Sequence, residues 1–345
     1  MQSPLNALSR RDFLKMAGFG MLGLTLPGLP RSLFTQSFYS DLQGRVIEKS
    51  LWMYDEPSAQ SKRLEMYWRD LVVPLTGAAI SEDEEAHNRV WYEVDGKGYV
   101  YSGSVQPVST VLNQPVTDIP VEGLLGEISV PFTDAHEEPD ETTAVAHRLY
   151  YETVHWITDS TTGTDGHVWY RLLDDKLNLF YYIPGRHMRL IPDDELAPIS
   201  PEIPDAEKLI EVNLTKQLVL AYEQSRLVFA ARASTGRQYL SGRWSTPEGQ
   251  FITSYKRPTR HMAAGDIASN GFDLPGVPWV LYITKSGISF HGTYWHNDYG
   301  RPRSHGCINM TPQASKWLYR WTSPSVETGK QYAYEYFGTK VLISE

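Results

Sequence analysis

The sequence predicts a mainly β protein: two small β-barrel-like modules, then a larger β-rich C-terminal domain with one clear helix. Three observations predict it. Short runs of β-branched and aromatic residues alternate with polar residues through most of the chain. One such pattern occurs twice. Helical spacing with both a cap and a first-turn proline occurs once, late in the sequence.

The repeated pattern reads Arg89-Val90-Trp91-Tyr92-Glu93-Val94-Asp95 followed by Gly98-Tyr99-Val100-Tyr101, and His167-Val168-Trp169-Tyr170-Arg171-Leu172-Leu173-Asp174 followed by Tyr181-Tyr182-Ile183. Trp91 and Trp169 lie 78 residues apart, which suggests a duplicated unit. Each copy is a strand, a polar turn and a second strand. Both resemble the small Src-homology-type β-barrels found beside bacterial cell-wall enzymes, and the two tryptophans are expected to fill their cores. The modules are assigned to residues 36–115 and 116–191. Pro192, Pro198, Pro201 and Pro204 then cluster among acidic residues. This composition predicts a stiff, extended linker over 192–205 that leaves residues 206–345 to fold alone.

In that last segment Ile210, Val212 and Leu214 alternate with polar residues, and Leu218 to Tyr222 returns as a hairpin partner. Leu227 to Ala233 gives another strand. Val277 to Ile283 and Ile288 to His291 flank a Lys285-Ser286-Gly287 turn, and Val341-Leu342-Ile343 is the last strand. The helix starts at a Thr311 cap with Pro312 in its first turn. Its Ala314, Trp317, Leu318 and Trp321 share one face.

Composition narrows the function. The chain of 345 residues carries a formal charge of −9, which disfavours nucleic acid as a partner. The acidic runs at Glu82–Glu85 and Glu137–Glu141 read as solvated loops. At the N-terminus, Ser9-Arg10-Arg11-Asp12-Phe13-Leu14-Lys15 precedes an apolar run from Met16 to Leu29. Paired arginines ahead of so short a run look like a twin-arginine export signal over residues 1–35. The run is shorter than the roughly 20 residues of a spanning helix. No cysteine follows it for lipid attachment, and no Ala-x-Ala-like site stands out, so the segment is either cleaved or kept as a membrane anchor.

The chain has a single cysteine, which can form no internal disulfide. Its setting is Ser304-His305-Gly306-Cys307-Ile308-Asn309, with His291-Gly292 upstream. A free thiol with a pKa near 8.5 is mostly protonated at pH 7, so a nucleophilic cysteine needs a base. His291 ends a strand, a rigid support for such a base, and the context suggests raised thiolate character at Cys307. Gly306 permits a sharp turn that aims amides at a developing oxyanion. His87, His136, His147, His155, His167, His187 and His261 carry no partner motif and read as surface or packing residues. His296 and Asp298 read as loop residues beside the site.

His-Gly, a loop and then Ser-His-Gly-Cys is similar to the L,D-transpeptidase catalytic domain (YkuD-type) family. Asn213 to Tyr222, Ser234-Thr235-Gly236 and Thr246-Pro247-Glu248-Gly249-Gln250-Phe251 resemble further segments of that family. The resemblance implies Cys307 as nucleophile and His291 as base, oriented by the Gly292 carbonyl. It places His305, Ser304 and Gly306 around the pocket. Many members carry Arg two places after the cysteine, where this chain has Asn309; carboxylate binding is therefore expected to pass to Arg303 or Arg301. The implied reaction crosslinks peptidoglycan stem peptides in the cell wall through a thioester and needs neither metal nor organic cofactor. Three rivals remain: a hydrolase on the same scaffold, a zinc site of His291, His305 and Cys307, and a non-catalytic wall-binding protein.

Overall fold

The structure is a computed structural model and describes residues 42–237, 245–265 and 271–345. The predicted export signal lies outside the described residues. Among them, no helix is long and apolar enough to cross a membrane.

The chain is mainly β, as its alternation predicts. A first sheet contains β1 (Gln43–Val46), β2 (Ser50–Tyr54), β3 (Arg63–Trp68), β4 (Val72–Ile80), β5 (Val90–Val94), β6 (Gly98–Tyr101) and β7 (Val105–Val108). A second contains β8 (Leu124–Ile128), β9 (Phe132–His136), β10 (Val145–Tyr150), β11 (Val154–Thr162), β12 (Val168–Asp174), β13 (Leu179–Pro184) and β14 (Met188–Leu190). The first is ordered β3-β2-β6-β5-β4-β1-β7 and the second β10-β9-β13-β12-β11-β8-β14. Position for position these are one topology. Trp91 and Trp169 occupy the fifth strand of each copy, and both are buried. Each copy also places a 3-10 turn, Ser102–Ser104 or Gly185–His187, before its last strand.

The C-terminal region builds two five-stranded sheets. One consists of β15 (Lys208–Asn213), β16 (Leu218–Glu223), β17 (Arg226–Arg232), β18 (Gly249–Ile252) and, paired parallel to β15, the C-terminal β24 (Lys340–Ser344). The other runs β22-β21-β20-β19-β23, from β19 (Tyr255–Ala264), β20 (Phe272–Tyr282), β21 (Ser289–Gly292), β22 (Ile308–Met310) and β23 (Ala333–Tyr334). Helix α1 (Pro312–Trp321) begins as its sequence predicts: Thr311 Oγ1 accepts the Ala314 amide at 3.2 Å, and Pro312 sits where no amide partner is needed. Its buried Leu318 and Trp321 close the core between the sheets.

The proline-rich stretch is not a free spacer. Asp193–Leu196 and Asp205–Glu207 form 3-10 turns, and Leu196 and Ile199 pack on the C-terminal core. Lys316 pairs with Glu195 at 2.6 Å, and Arg320 Nε donates to the Ala197 carbonyl at 2.9 Å. Proline fixes the backbone torsion but leaves the residues between the prolines free to pack. The core itself crosses the seam: Leu125, Val154 and Trp156 of the second sheet, with Ile191 just after it, share one buried cluster with Ile210, Trp279, Leu281 and Trp321.

That shared cluster argues against the expectation that residues 206–345 fold alone. A fragment starting at residue 206 would expose the face that Trp156 and Val154 cover, and each large side chain so exposed forfeits about 1.5–3 kcal/mol. The fragment is expected to be insoluble or to melt far below the full chain in a thermal unfolding assay. Trp156→Ala in the full chain is expected to cost about 3–5 kcal/mol by denaturant titration. A soluble fragment with the full chain's melting temperature would refute the shared core.

Candidate active site

Two neighbouring strands position the chemistry. β21 and β22 run parallel with Phe290 opposite Ile308, His291 opposite Asn309 and Gly292 opposite Met310. Side chains alternate along a strand, so Ser289 and His291 share one face of β21. One step back in this register, Cys307 lies beside Ser289, and Cys307 Sγ is 3.7 Å from Ser289 Oγ. Cys307 and His291 are therefore diagonal neighbours on one face of the sheet.

The tautomer of His291 follows from its partner. Its Nδ1 lies 3.0 Å from the Gly292 carbonyl, which can only accept, so Nδ1 carries the proton and Nε2 is bare. This is the orienting role that the family resemblance gives to Gly292. A Cβ on Gly292 would come within 2.7 Å of Pro278 Cγ and 3.0 Å of Pro312 Cα, so glycine lets β21 pass close to α1. Trp295 covers the imidazole, with ring centroids 5.6 Å apart.

The electrostatics differ from the sequence reading. Cys307 keeps some exposure, as an attacking atom must. Burial nonetheless pushes its thiol up, against the opposing hydrogen bond from Ser289. Burial also pushes the His291 imidazolium down to about 4, against the Gly292 hydrogen bond that favours it. Both effects disfavour charge, so burial favours a neutral thiol beside a neutral imidazole over a thiolate–imidazolium pair.

The cysteine loop is braced by the family-like segments. Gly306 has φ +116°, a conformation that side chains rarely tolerate. Its carbonyl accepts from Thr246 Oγ1 at 2.8 Å, and Thr246 Oγ1 in turn accepts the Gly236 amide at 2.8 Å. Ser304 Oγ accepts the Gly306 amide at 3.0 Å and donates to the Cys307 carbonyl at 2.5 Å. Ser304 thus holds the turn and consumes the Gly306 amide. His305 lies against the ring of Phe272 at 5.6 Å.

Both arginines given the carboxylate-binding role face Asp298. Arg303 donates to Asp298 Oδ2 at 2.9 Å, and Arg301 pairs with the same oxygen. The other oxygen of Asp298 receives His87 Nε2 at 2.6 Å and Tyr101 OH at 2.7 Å. Although burial pushes this carboxyl up, the bonds from Tyr101 and His87 and the Arg301 charge outweigh it and hold it low. Asp298 thereby ties the loop before the cysteine to the first sheet. A Cβ on Gly103 would sit 2.8 Å from Asp298 Oδ1, so the close approach requires glycine there. Asn309 is buried, and its Nδ2 lies 2.9 Å from His296 Nε2. His87, His296 and Asp298, read from the sequence as unpartnered or loop residues, therefore support the site from behind. Ser289 was missed as well, although its place two residues before His291 puts it on the same strand face. A cavity of about 290 Å³, lined by Glu152, Thr293, His296 and Tyr299 among others, lies behind these residues and includes neither Cys307 nor His291.

Residues 207–343 match the family model of the L,D-transpeptidase catalytic domain. The solved structures similar to this chain include a cysteine-to-serine mutant of the Enterococcus faecium L,D-transpeptidase, 24% identical over 40% of this chain and 50% of that one, with a TM-score of 0.31. Others are the L,D-transpeptidase from Mycobacterium smegmatis, 16% identical over 52% of this chain and 90% of that one at 0.34, and L,D-transpeptidase 3 from Mycobacterium tuberculosis, 17% identical over 49% and 75% at 0.33. This chain spans about half the length of the first of these. No curated protein matches the sequence. Within the matched segment, His291-Gly292 ends β21 and Ser304-His305-Gly306-Cys307 leads directly into β22, the two strands paired in parallel.

The neutral pair predicts a particular pH profile. An imidazole held near 4 stays deprotonated, and so competent as a base, until the pH falls through about 4. Alkylation of Cys307 by iodoacetamide is expected to show no loss between pH 7 and pH 5.5, where an ordinary histidine with a pKa near 6.5 would impose one. His291→Gln is expected to slow the reaction about tenfold or more at pH 7 and to recover as the thiol ionises unaided at high pH. An acid limb centred near 6.5 in the unmodified protein would overturn the neutral-pair assignment.

Proposed function

We propose that the chain is a cysteine-dependent acyltransferase that crosslinks peptidoglycan stem peptides. The observation that carries this is the diagonal placement of Cys307 and His291, with Nδ1 held by Gly292 and Nε2 bare, inside a segment matching the L,D-transpeptidase domain. His291 Nε2 takes the thiol proton as sulfur attacks the carbonyl of an L,D peptide bond. The tetrahedral oxyanion is met by backbone amides of the cysteine loop, the Cys307 amide first, since Ser304 holds that of Gly306. Collapse breaks the C–N bond, the leaving D-alanine amine takes the proton back from His291, and a thioester remains. An amine of a neighbouring stem then attacks the thioester, yields its proton through His291 and releases the thiol.

Burial favours this order of events. A neutral pair costs less to hold in an enclosed site than two separated charges, and charge appears only when substrate supplies an electrophile. Carboxylate recognition remains a role for the exposed edge of Arg301, with Arg303 and Asn309 supporting the loop.

Incubation with muropeptides followed by mass spectrometry of protein and products tests the reading. One acyl equivalent on Cys307 and crosslinked dimers are expected, and Cys307→Ala is expected to lose both. Crosslinking that persists in Cys307→Ala would falsify the nucleophile; hydrolysed monomers in place of dimers would assign a carboxypeptidase outcome.

Export through the twin-arginine route is the companion proposal, with the protein acting outside the cytoplasm at the cell wall. Replacing Arg10 and Arg11 with Lys preserves charge but removes the receptor-read address. The precursor is expected to remain cytoplasmic in cell fractionation. Undiminished export of the double variant would assign the general secretory route.

A further inference from the structure

A second cluster of titratable side chains lies away from the nucleophile, at the seam between the second sheet and the L,D-transpeptidase domain. His147 comes from β10, Asp174 from the end of β12 and His261 from β19. One potential ligand atom from each lies within 4.8 Å of the others. His261 Nδ1 is 2.6 Å from Asp174 Oδ2, and His147 Nε2 is 3.8 Å from the same oxygen. The two imidazoles stand edge to face with centroids 5.4 Å apart.

Three features distinguish this cluster from ordinary packing. First, the other oxygen of Asp174 accepts the amides of Lys176 at 3.0 Å and Leu177 at 2.9 Å, which aims Oδ2 at the histidines. Second, His261 lies between two acceptor-only carboxylates, Asp174 on Nδ1 and Asp273 on Nε2, so a cation would replace the Nδ1 proton while Asp273 keeps the proton on Nε2 and leaves Nδ1 as the electron-pair donor. A carboxylate behind a histidine whose other nitrogen faces a ligand cluster is the supporting arrangement of metal-bound imidazoles. Third, the seam's fixed cations are spent elsewhere: Arg257 and Arg260 pair with Asp175 at 2.9 Å and 2.6 Å. Among the described residues, the ion pairs of Asp174 and Asp273 are with histidines alone.

We infer that His147 Nε2, His261 Nδ1 and Asp174 Oδ2 bind a divalent transition-metal ion of the zinc class, with Asp273 orienting His261. Two imidazoles and a carboxylate suit zinc, and bonds of roughly 2.0–2.2 Å put tetrahedral donors about 3.4 Å apart. The separations of 2.6 Å and 3.8 Å bracket that value, so modest side-chain movement completes the set. A water takes the fourth position. The ion would join β10 and β12 to β19, clamping the second sheet to the L,D-transpeptidase domain. Neither Cys307 nor His291 belongs to the cluster, so the role is structural and independent of the proposed reaction.

The test uses the untagged full chain, stripped with a chelator and titrated with zinc chloride by calorimetry, with thermal unfolding followed in parallel. One zinc per chain with micromolar or tighter affinity and a raised melting temperature are expected. His147→Ala, at a partly exposed position, is expected to weaken binding at least tenfold and remove the thermal gain. Asp273→Asn is expected to weaken it 10–100-fold, and Cys307→Ala to leave both readouts unchanged. Cobalt in place of zinc is expected to give visible bands without a thiolate charge-transfer band. Absence of stoichiometric binding, binding unaltered in both His147→Ala and Asp273→Asn, or binding lost in Cys307→Ala would each overturn the inference; the first outcome would assign the cluster to a proton shared between His261 and its two carboxylates.

Discussion

The parallel pairing of β21 with β22 is the constraint on which the site depends. It is a three-residue ladder, and it fixes which residues share a face. A slip of one residue would turn Cys307 away from His291, because alternate residues point to opposite sides of a sheet. The surrounding structure is arranged to prevent that slip. Ser234 and Asn309 form a bridge on the far side of β22, Thr246 holds the Gly306 carbonyl, and Ser304 spans the turn. The Ser-Thr-Gly and Thr-Pro-Glu-Gly segments thus lie far from β21 and β22 in sequence yet act on their register.

Burial sets the chemical character of that register. The same enclosure that lowers the His291 pKa raises that of Cys307, and Ser289 and Gly292 offset it only in part. The enclosure therefore disfavours the charged form of each partner. Polar support is concentrated one layer back, at Asp298 and at the His296–Asn309 contact. A carboxylate with four donors can be fully buried because every lone-pair direction has a partner.

Much of this was legible in the sequence. Alternation over Ile210–Tyr222 became the β15–β16 hairpin, the Thr311-Pro312 signal became the start of α1, and the two tryptophan motifs became equivalent strands of two sheets with one topology. These are local signals, carried by residues close together in the chain. What the sequence did not disclose depends on distant partners. His87 meets Asp298 across 211 positions and His261 meets Asp174 across 87, so neither pairing leaves a local motif. Proline content at 192–204 reported backbone stiffness and was silent on what Leu196 and Ile199 would face. The charge state of the Cys307–His291 pair was equally hidden, because desolvation is a property of the assembled core.

Both copies of the repeated topology meet the C-terminal region through specific polar groups, and the second adds a shared apolar core. The second copy lends apolar side chains to a common core, where many hydrophobic combinations of similar volume serve. The first copy is held by specific groups: Tyr101 and His87 on Asp298, the Ser102 and Val105 carbonyls on Asn297, and Arg45 on the Tyr294 carbonyl. Such contacts do not tolerate piecemeal drift. Replacing Tyr101, His87 or Arg45 would leave a buried acceptor in the loop from residue 294 to 303 without its donor, so these two distant stretches constrain each other.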